Sequence, residues 1–320
     1  MSIKHASDSL AAPAFTEPAP ATSGDASQGL ATVVRRPAAN QLRRNLKRFM
    51  IGNRLNLIGV TIVVIFFFLA IFGEAISPHD PYGQDIQGSK FLAPSFTHPL
   101  GTDELGRDVF SRILTGTRFS LQVAAVVLSF AVVFGTIVGA VSGFFGGIVD
   151  EVLMRVTDMF LAFPALILAI AIAATLGKSL TNTMIALATV FWPWYARLVR
   201  AQVLSIRERD FVDAARSIGL SSWRLMFRHV LPNAISVVII QVTLDVGYAI
   251  LSTSSLSFIG LGAQPPSPEW GTMLSTARSF FREAWWYMTF PGVALTLTVF
   301  AFNVLGDGLQ DALDPRSGRR

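Results

Sequence analysis

Cysteine is absent from all 320 residues, which excludes a disulfide framework and any thiolate metal site. Histidine is scarce: there are four, and none has ligand spacing. Charged residues make up 15% of the chain and hydrophobic residues 52%, whereas soluble domains carry roughly a quarter charged residues. That deficit points to lipid as the solvent. A phosphate loop of the form G-x-x-x-x-G-K-[ST] is also missing. Gly177-Lys178-Ser179 matches its end, but Ile172 stands where the first glycine belongs, inside an apolar run. Too few histidines are present to assemble a Ser-His-Asp set. These absences argue against an enzyme and against a nucleotide-hydrolysing site within this chain, and no cofactor is expected in it.

Long uncharged runs are what the chain has instead. A spanning helix needs roughly 20 mostly apolar residues. Six stretches qualify: Leu55 to Gly73, Phe119 to Val149, Met159 to Gly177, Ser179 to Ala196, Ala234 to Ser257 and Ala284 to Gly306. The fifth contains one carboxylate, Asp245. Residues 1–40 are rich in Ala, Pro, Ser and Thr, cannot bury enough apolar surface to offset chain entropy, and read as a disordered tail. They contain no apolar core of a secretory signal. Residues 41–118 then form a basic segment, the first span and an external loop, and residues 119–316 carry the remaining five spans.

Basic residues near span ends set orientation. Arg35, Arg36, Arg43, Arg44, Lys47, Arg48 and Arg54 precede the first span. Arg197, Arg200, Arg207, Arg209, Arg216, Arg224 and Arg228 lie between the fourth and fifth, and Arg316, Arg319 and Arg320 follow the sixth. With six spans these segments share one side, so both termini are expected in the cytoplasm. Gly135, Gly139, Gly143 and Gly147 recur every four residues, a spacing that lets helix backbones approach closely in lipid, within one subunit or between two. Pro164 and Pro193 should each kink a helix.

Residues 197–232 are too polar for lipid and long for a connection. Their pattern predicts two short helices. Asp210 is placed as the first N-cap, with Phe211, Ala214, Ala215 and Ile218 on one face. Gly219 suits a left-handed stop. Ser221 or Ser222 caps a second helix bearing Trp223, Met226 and Phe227, and Pro232 ends the loop. The result is a small bracket, apolar on one side and Arg-rich on the other. A helix-turn-helix DNA binder fits poorly between two spans. A passive loop and a docking element remain.

Asp213-Ala214-Ala215, Gly219 and Leu231-Pro232 resemble the "EAA" loop of permease subunits in binding-protein-dependent ATP-binding cassette importers. Asp213 replaces the pattern's Glu, and His229 fills a slot that is usually aliphatic. Leu100 to Asp108, Gly260 to Gly271 and Asn303 to Pro315 are similar to the dipeptide/oligopeptide/nickel branch of that family. The resemblance covers roughly residues 45–316. It implies a type I permease fold in the bacterial cytoplasmic membrane. It also implies a second permease subunit, two ATPase subunits that bind ATP and Mg, and an extracytoplasmic binding protein. Asp213, Ala214, Ala215, Gly219, Leu231 and Pro232 would then dock the ATPase. The implied cargo is a di- or oligopeptide, or a D-amino-acid dipeptide, glutathione or a nickel chelate.

Asp245, with Gln241 one turn earlier, either lines the pathway or bonds neighbouring helices. Trp285, Trp286 and Tyr287 fit an aromatic belt at the lipid interface, and Leu100 to Asp108 is an external stretch free to contact a partner. An ion-driven secondary transporter is the alternative, supported by Asp245 alone.

Overall fold

A computed structural model describes residues 54–313. The tail at 1–40, most of the basic segment before the first span, and Arg316, Arg319 and Arg320 lie outside the described residues. Ten α-helices are numbered here in chain order: α1 (Arg54–Phe72), α2 (Val109–Phe145), α3 (Gly147–Leu161), α4 (Ala165–Leu176), α5 (Leu180–Arg207), α6 (Asp210–Ser217), α7 (Ser222–Leu225), α8 (Leu231–Phe258), α9 (Trp270–Ala277) and α10 (Trp285–Leu313). Among the described residues the only β pairing is one bridge, between Thr102 and Asp108.

Lipid gives a backbone no partner but itself, so even β-branched runs are driven into helices. In α1 only Asn56, Gly59, Val63 and Phe66 are buried, at helical spacing. Val64, Ile65, Phe67 and Phe68 are exposed on the other faces. An apolar surface facing outward is the pattern of a lipid-facing span. α1, α2, the continuous helix Ser222–Phe258 and α10 are each long and apolar enough to cross a membrane. α3 and α4 make a fifth span if the bent pair is one, with an 85° bend between them. Pro164 sits at that break as the N-cap of α4, so the expected kinked span is two helices. Pro193, in contrast, lies inside a continuous α5. The remaining expected span, Ser179 to Ala196, falls in the first part of α5, a 28-residue helix that runs on through Arg197, Arg200 and Arg207 and is not among those long and apolar enough to cross, so four or five of the six expected spans are found.

The closest packing in the bundle is between α2 and α5. A Cβ at Gly135 would stand 2.5 Å from the Trp192 carbonyl oxygen, one at Gly139 2.3 Å from that of Ala196, and one at Gly143 2.9 Å from that of Arg200. Three glycines spaced by four thus face three carbonyls spaced by four. Of the two contacts open from sequence, the stripe makes the one within the chain. Gly147 is not part of it: it begins α3 at φ +57°, with open space around it.

Polar side chains lock the same corner. Asp150 on α3 accepts two hydrogen bonds from Arg200 on α5, both 2.6 Å, and one from Ser142 on α2. Asp158 on α3 pairs with Arg197. Arg207 Nη1 donates to the Gly143 and Phe144 carbonyls at 3.1 and 3.2 Å, satisfying the open C-terminus of α2.

The seam yields a test. Gly139→Leu must displace backbone, so unfolding in detergent should be easier by about 1–3 kcal/mol or more. Gly292→Ala, whose added carbon meets only Leu274 at 3.7 Å, should be near neutral. Equal thermal midpoints for the two variants would contradict the packing described.

Candidate coupling elbow and central pocket

Of the two short helices that the sequence predicts, α6 stands by itself, the second is the start of the continuous helix Ser222–Phe258, and the connection is shorter than its sequence suggested. Arg197, Arg200 and Arg207 belong to α5 and its ion pairs, so the connection begins at Glu208. The N-cap of α6 is Arg209, and Asp210 and Asp213 both fall in its first turn, where negative charge favours the helix terminus. The C-terminus closes as expected. Gly219 adopts φ +82°, its amide donates to the Arg216 carbonyl at 2.9 Å, and the Leu220 amide donates to the Ala215 carbonyl at 3.2 Å. That bond pair is a Schellman cap, which glycine takes without a Cβ penalty.

The inward face differs from the predicted one. Val212 is fully buried and Ala215 half-buried, while Phe211 and Ile218 are exposed. In the second helix Leu225, Met226 and Val230 are buried, and Trp223 and Phe227 are exposed. Trp223 stacks on Phe227, with centroids 5.9 Å apart, and also packs at 5.0 Å on Phe145, the last residue of α2. A short helix held between two anchors takes its register from the wall behind it, and here that wall selects Val212 over its larger neighbours.

Nor does Pro232 end a loop. Residues Ser222 to Phe258 run as one helix, with a π-helical turn at Met226–Val230. Pro232 has no amide to donate and its ring crowds the carbonyl four residues back, so the preceding turn widens. The Leu231 amide reaches the Met226 carbonyl, and the Asn233 side chain donates to the His229 carbonyl. Asp213, Ala214 and Gly219 are therefore gathered and exposed on α6 and its cap. Leu231, half-buried, and Pro232, exposed, mark the separate junction into α8. Arg216 pairs with Asp213 at 3.3 Å, and Arg209, Arg224 and Arg228 are exposed.

A cavity of about 310 Å³ lies between α5 and α8 beside the α3–α4 bend. Its lining includes Leu161, Trp194, Tyr195, Gln241, Asp245 and Tyr248. Tyr195 Oη donates to Asp245 Oδ2 at 2.6 Å, and Gln241 Nε2 donates to Oδ1 at 3.0 Å. Asp245 thus does bond a neighbouring helix, and it does so at the wall of the cavity.

The loop between α1 and α2 is a built structure. Asp103 Oδ1 accepts from the Leu105 and Arg107 amides, and its Oδ2 accepts from Arg107 Nε at 2.7 Å. Asp103, Arg107, Asp108 and Arg112 are all buried. Arg112 Nη1 donates to the Pro81 carbonyl at 2.9 Å, and Trp286 Nε1 donates to the Thr102 carbonyl at 3.1 Å. Leu100 to Asp108 is consequently an internal fastening, and most of it is not a free contact surface. Trp286 and Tyr287 are buried beneath it, so only Trp285 stands exposed as a belt residue would. Sequence reasoning missed two further groups. Glu269 is buried and caps α9 through the Gly271 and Thr272 amides. His79, His98 and Asp108 converge although they are far apart along the chain.

Residues 100–319 match the family described as binding-protein-dependent transport system inner membrane component. The chain belongs to that family. Residues 40–94 match the N-terminal transmembrane domain of oligopeptide transport permease C. Among relatives, the chain is 45% identical to the dipeptide transport system permease protein DppC of Alkalihalophilus pseudofirmus, over 82% of this chain and 86% of that one. It is 43% identical to the probable D,D-dipeptide transport system permease protein DdpC of Escherichia coli, over 83% and 89%. It is 41% identical to the glutathione transport system permease protein GsiD of Pectobacterium atrosepticum, over 79% and 84%. A chain of the inward-facing MetNI methionine ABC transporter shares the fold, with TM-score 0.51, 17% identity, and coverage of 63% of this chain and 96% of that chain. The permease is thus a multi-pass membrane protein of the ABC importer class. The DNA-binding and ion-driven readings are set aside.

The Tyr195–Asp245 bond can be measured in this permease. A double-mutant cycle of Tyr195→Phe and Asp245→Asn, read by thermal unfolding in detergent, should give a coupling of about 0.5–3 kcal/mol. Additive effects would mean the bond does not join α5 to α8.

Proposed function

We propose that this chain is one of two permease subunits of an importer in the bacterial cytoplasmic membrane, with six spans and both termini in the cytoplasm. α3 and α4 together count as one span and α5 as another. The elbow at 208–221 faces the cell interior and seats in a separate ATPase subunit through Asp213, Ala214, Ala215 and Gly219, with Leu231 and Pro232 setting the exit into α8. Two such ATPase subunits hold the ATP and Mg, and this chain hydrolyses none. An extracytoplasmic binding protein delivers the cargo. That cargo is a di- or oligopeptide, or a related solute such as a D-amino-acid dipeptide, glutathione or a nickel chelate. The relatives' names support the peptide and glutathione part of this range, and the nickel chelate rests on the sequence resemblance alone.

One observation carries the reading. The segment Asp213 to Gly219, exposed apart from half-buried Ala215, follows fully buried Val212, and only residues 208–209 and 218–221 separate α6 from α5 and from the helix that leads into α8. A push on this elbow would therefore reach two long helices through short connections. The cavity lies between the same two helices, and there Asp245 would meet a cargo ammonium, with Gln241 supporting it. Nucleotide binding shifts the bundle only to the extent that the ATPase favours one of its two states.

Co-purification with the ATPase subunits tests the docking role. Asp213→Arg reverses an exposed charge, and Gly219→Val forces a β-branched residue to φ +82°. Both should lose the ATPase while membrane insertion and the thermal midpoint of the chain change little for Asp213→Arg. Full retention of ATPase by both variants would count against docking at α6.

A further inference from the structure

We infer that His79, His98 and Asp108 form a binding site for a first-row divalent cation of the zinc or cobalt kind, in the outer cap of the permease. The two imidazoles stack, with centroids 4.6 Å apart and planes at 30°. Both turn Nδ1 towards one carboxylate. His98 Nδ1 lies 3.0 Å from Asp108 Oδ1, and His79 Nδ1 lies 3.9 Å from Asp108 Oδ2. One ligand atom from each residue falls within 4.8 Å of the other two. Zinc bonded at about 2.0–2.1 Å to nitrogen and oxygen sets tetrahedral edges of about 3.3 Å. The two nitrogen–oxygen separations, made to different oxygens of Asp108, bracket that length, and rotation of the part-exposed His79 ring brings the three ligands onto one ion.

Charge and support favour a cation here. The cap's arginines are committed elsewhere: Arg107 bonds Asp103 and Glu104, and Arg112 sits 3.6 Å from Asp103. Asp108, with a side chain 0% exposed, has only the two histidines as ion-pair partners among the described residues. Its Oδ2 also accepts from the Ser111 amide and Ser111 Oγ, both at 2.8 Å, which fixes the carboxylate as the N-cap of α2. The His79 amide donates to Ser111 Oγ at 3.2 Å and the His98 amide to Ser95 Oγ at 3.2 Å, so both ligand-bearing backbones are held. Such outer support is what orients metal ligands. The His79 side chain is 40% exposed and that of His98 14%, which gives the site one face open to water. Two imidazoles and one carboxylate suit zinc or cobalt, whereas calcium and magnesium prefer all-oxygen sets. A bound cation fastens the segment after α1 and the turn before Leu100 onto the first turn of α2.

Cobalt(II) titration of the full-length chain, purified in detergent without a histidine tag, tests the site. One equivalent should develop visible d–d bands of four- or five-coordinate cobalt, and zinc should abolish them by displacement. His79→Ala and His98→Ala should each weaken binding at least tenfold, with the helical circular dichroism unchanged. His79→Ala is the cleaner variant because it leaves the Asp108–Ser111 cap intact. Zinc should also raise the thermal midpoint of the parent chain and not that of His79→Ala. Absence of the bands, or bands of equal strength in the His79→Ala, His98→Ala double variant, would overturn the site.

Discussion

Backbone-to-backbone contact between α2 and α5 is the constraint on which the rest of the structure depends. Gly135, Gly139 and Gly143 bring α2 against the carbonyl ridge of Trp192, Ala196 and Arg200. In lipid no hydrophobic drive holds helices together, so close van der Waals approach has to. Any side chain on those glycines separates the pair. The seam also fixes which face of α5 is left to meet α8, and so where Tyr195 finds Asp245. At its lower end the same pairing delivers Arg200 to Asp150 and Arg207 to the end of α2.

Those ion pairs explain a distribution of charge that looked like a cytoplasmic loop. Arg197, Arg200 and Arg207 are structural members of α5, each bonded to a carboxylate or a helix end. What remains for a partner is smaller and sharper: α6, its glycine cap, and the exposed Trp223 and Phe227. The loop between α1 and α2 is built on the same logic with a different chemistry. Asp103, Arg107, Asp108 and Arg112 knit that loop to α2, and Trp286 ties it to α10. The molecule is a slippery apolar bundle with a polar fastening at each end.

Features that depend on one residue's local physics were readable from the sequence. Gly219 had to end a helix because its position needs a left-handed backbone, and the glycine spacing announced a close helix pair. Most spans were readable because an apolar run of sufficient length has one stable form in lipid. Features set by a distant wall were not. Val212 rather than Phe211 turns inward because α6 is too short to choose its own register. Pro232 reads as a stop, yet a π-turn absorbs it and the helix continues. Trp286 and Tyr287 look like interface residues until the Thr102 carbonyl and the loop between α1 and α2 are in view. Asp245 reads as either a bond or a lining group, and the geometry makes it a bond at the wall of a cavity. His79 and His98 carry no helical or strand spacing, so only the folded loop brings them to Asp108.

The glycine seam ties α2 to α5 and Trp223 packs the elbow on the end of α2, so the claim to test is that the elbow, α5 and α2 move as one rigid body. The chain has no cysteine, so paired spin labels at Ile137 on α2 and Ile218 on the elbow, both exposed, report without background. Double electron–electron resonance on the assembled importer, with and without nucleotide, measures the claim directly. A single narrow distance that stays the same in both states is the predicted result. A distribution that broadens or moves by several ångströms, on the order of one helical turn, would contradict it.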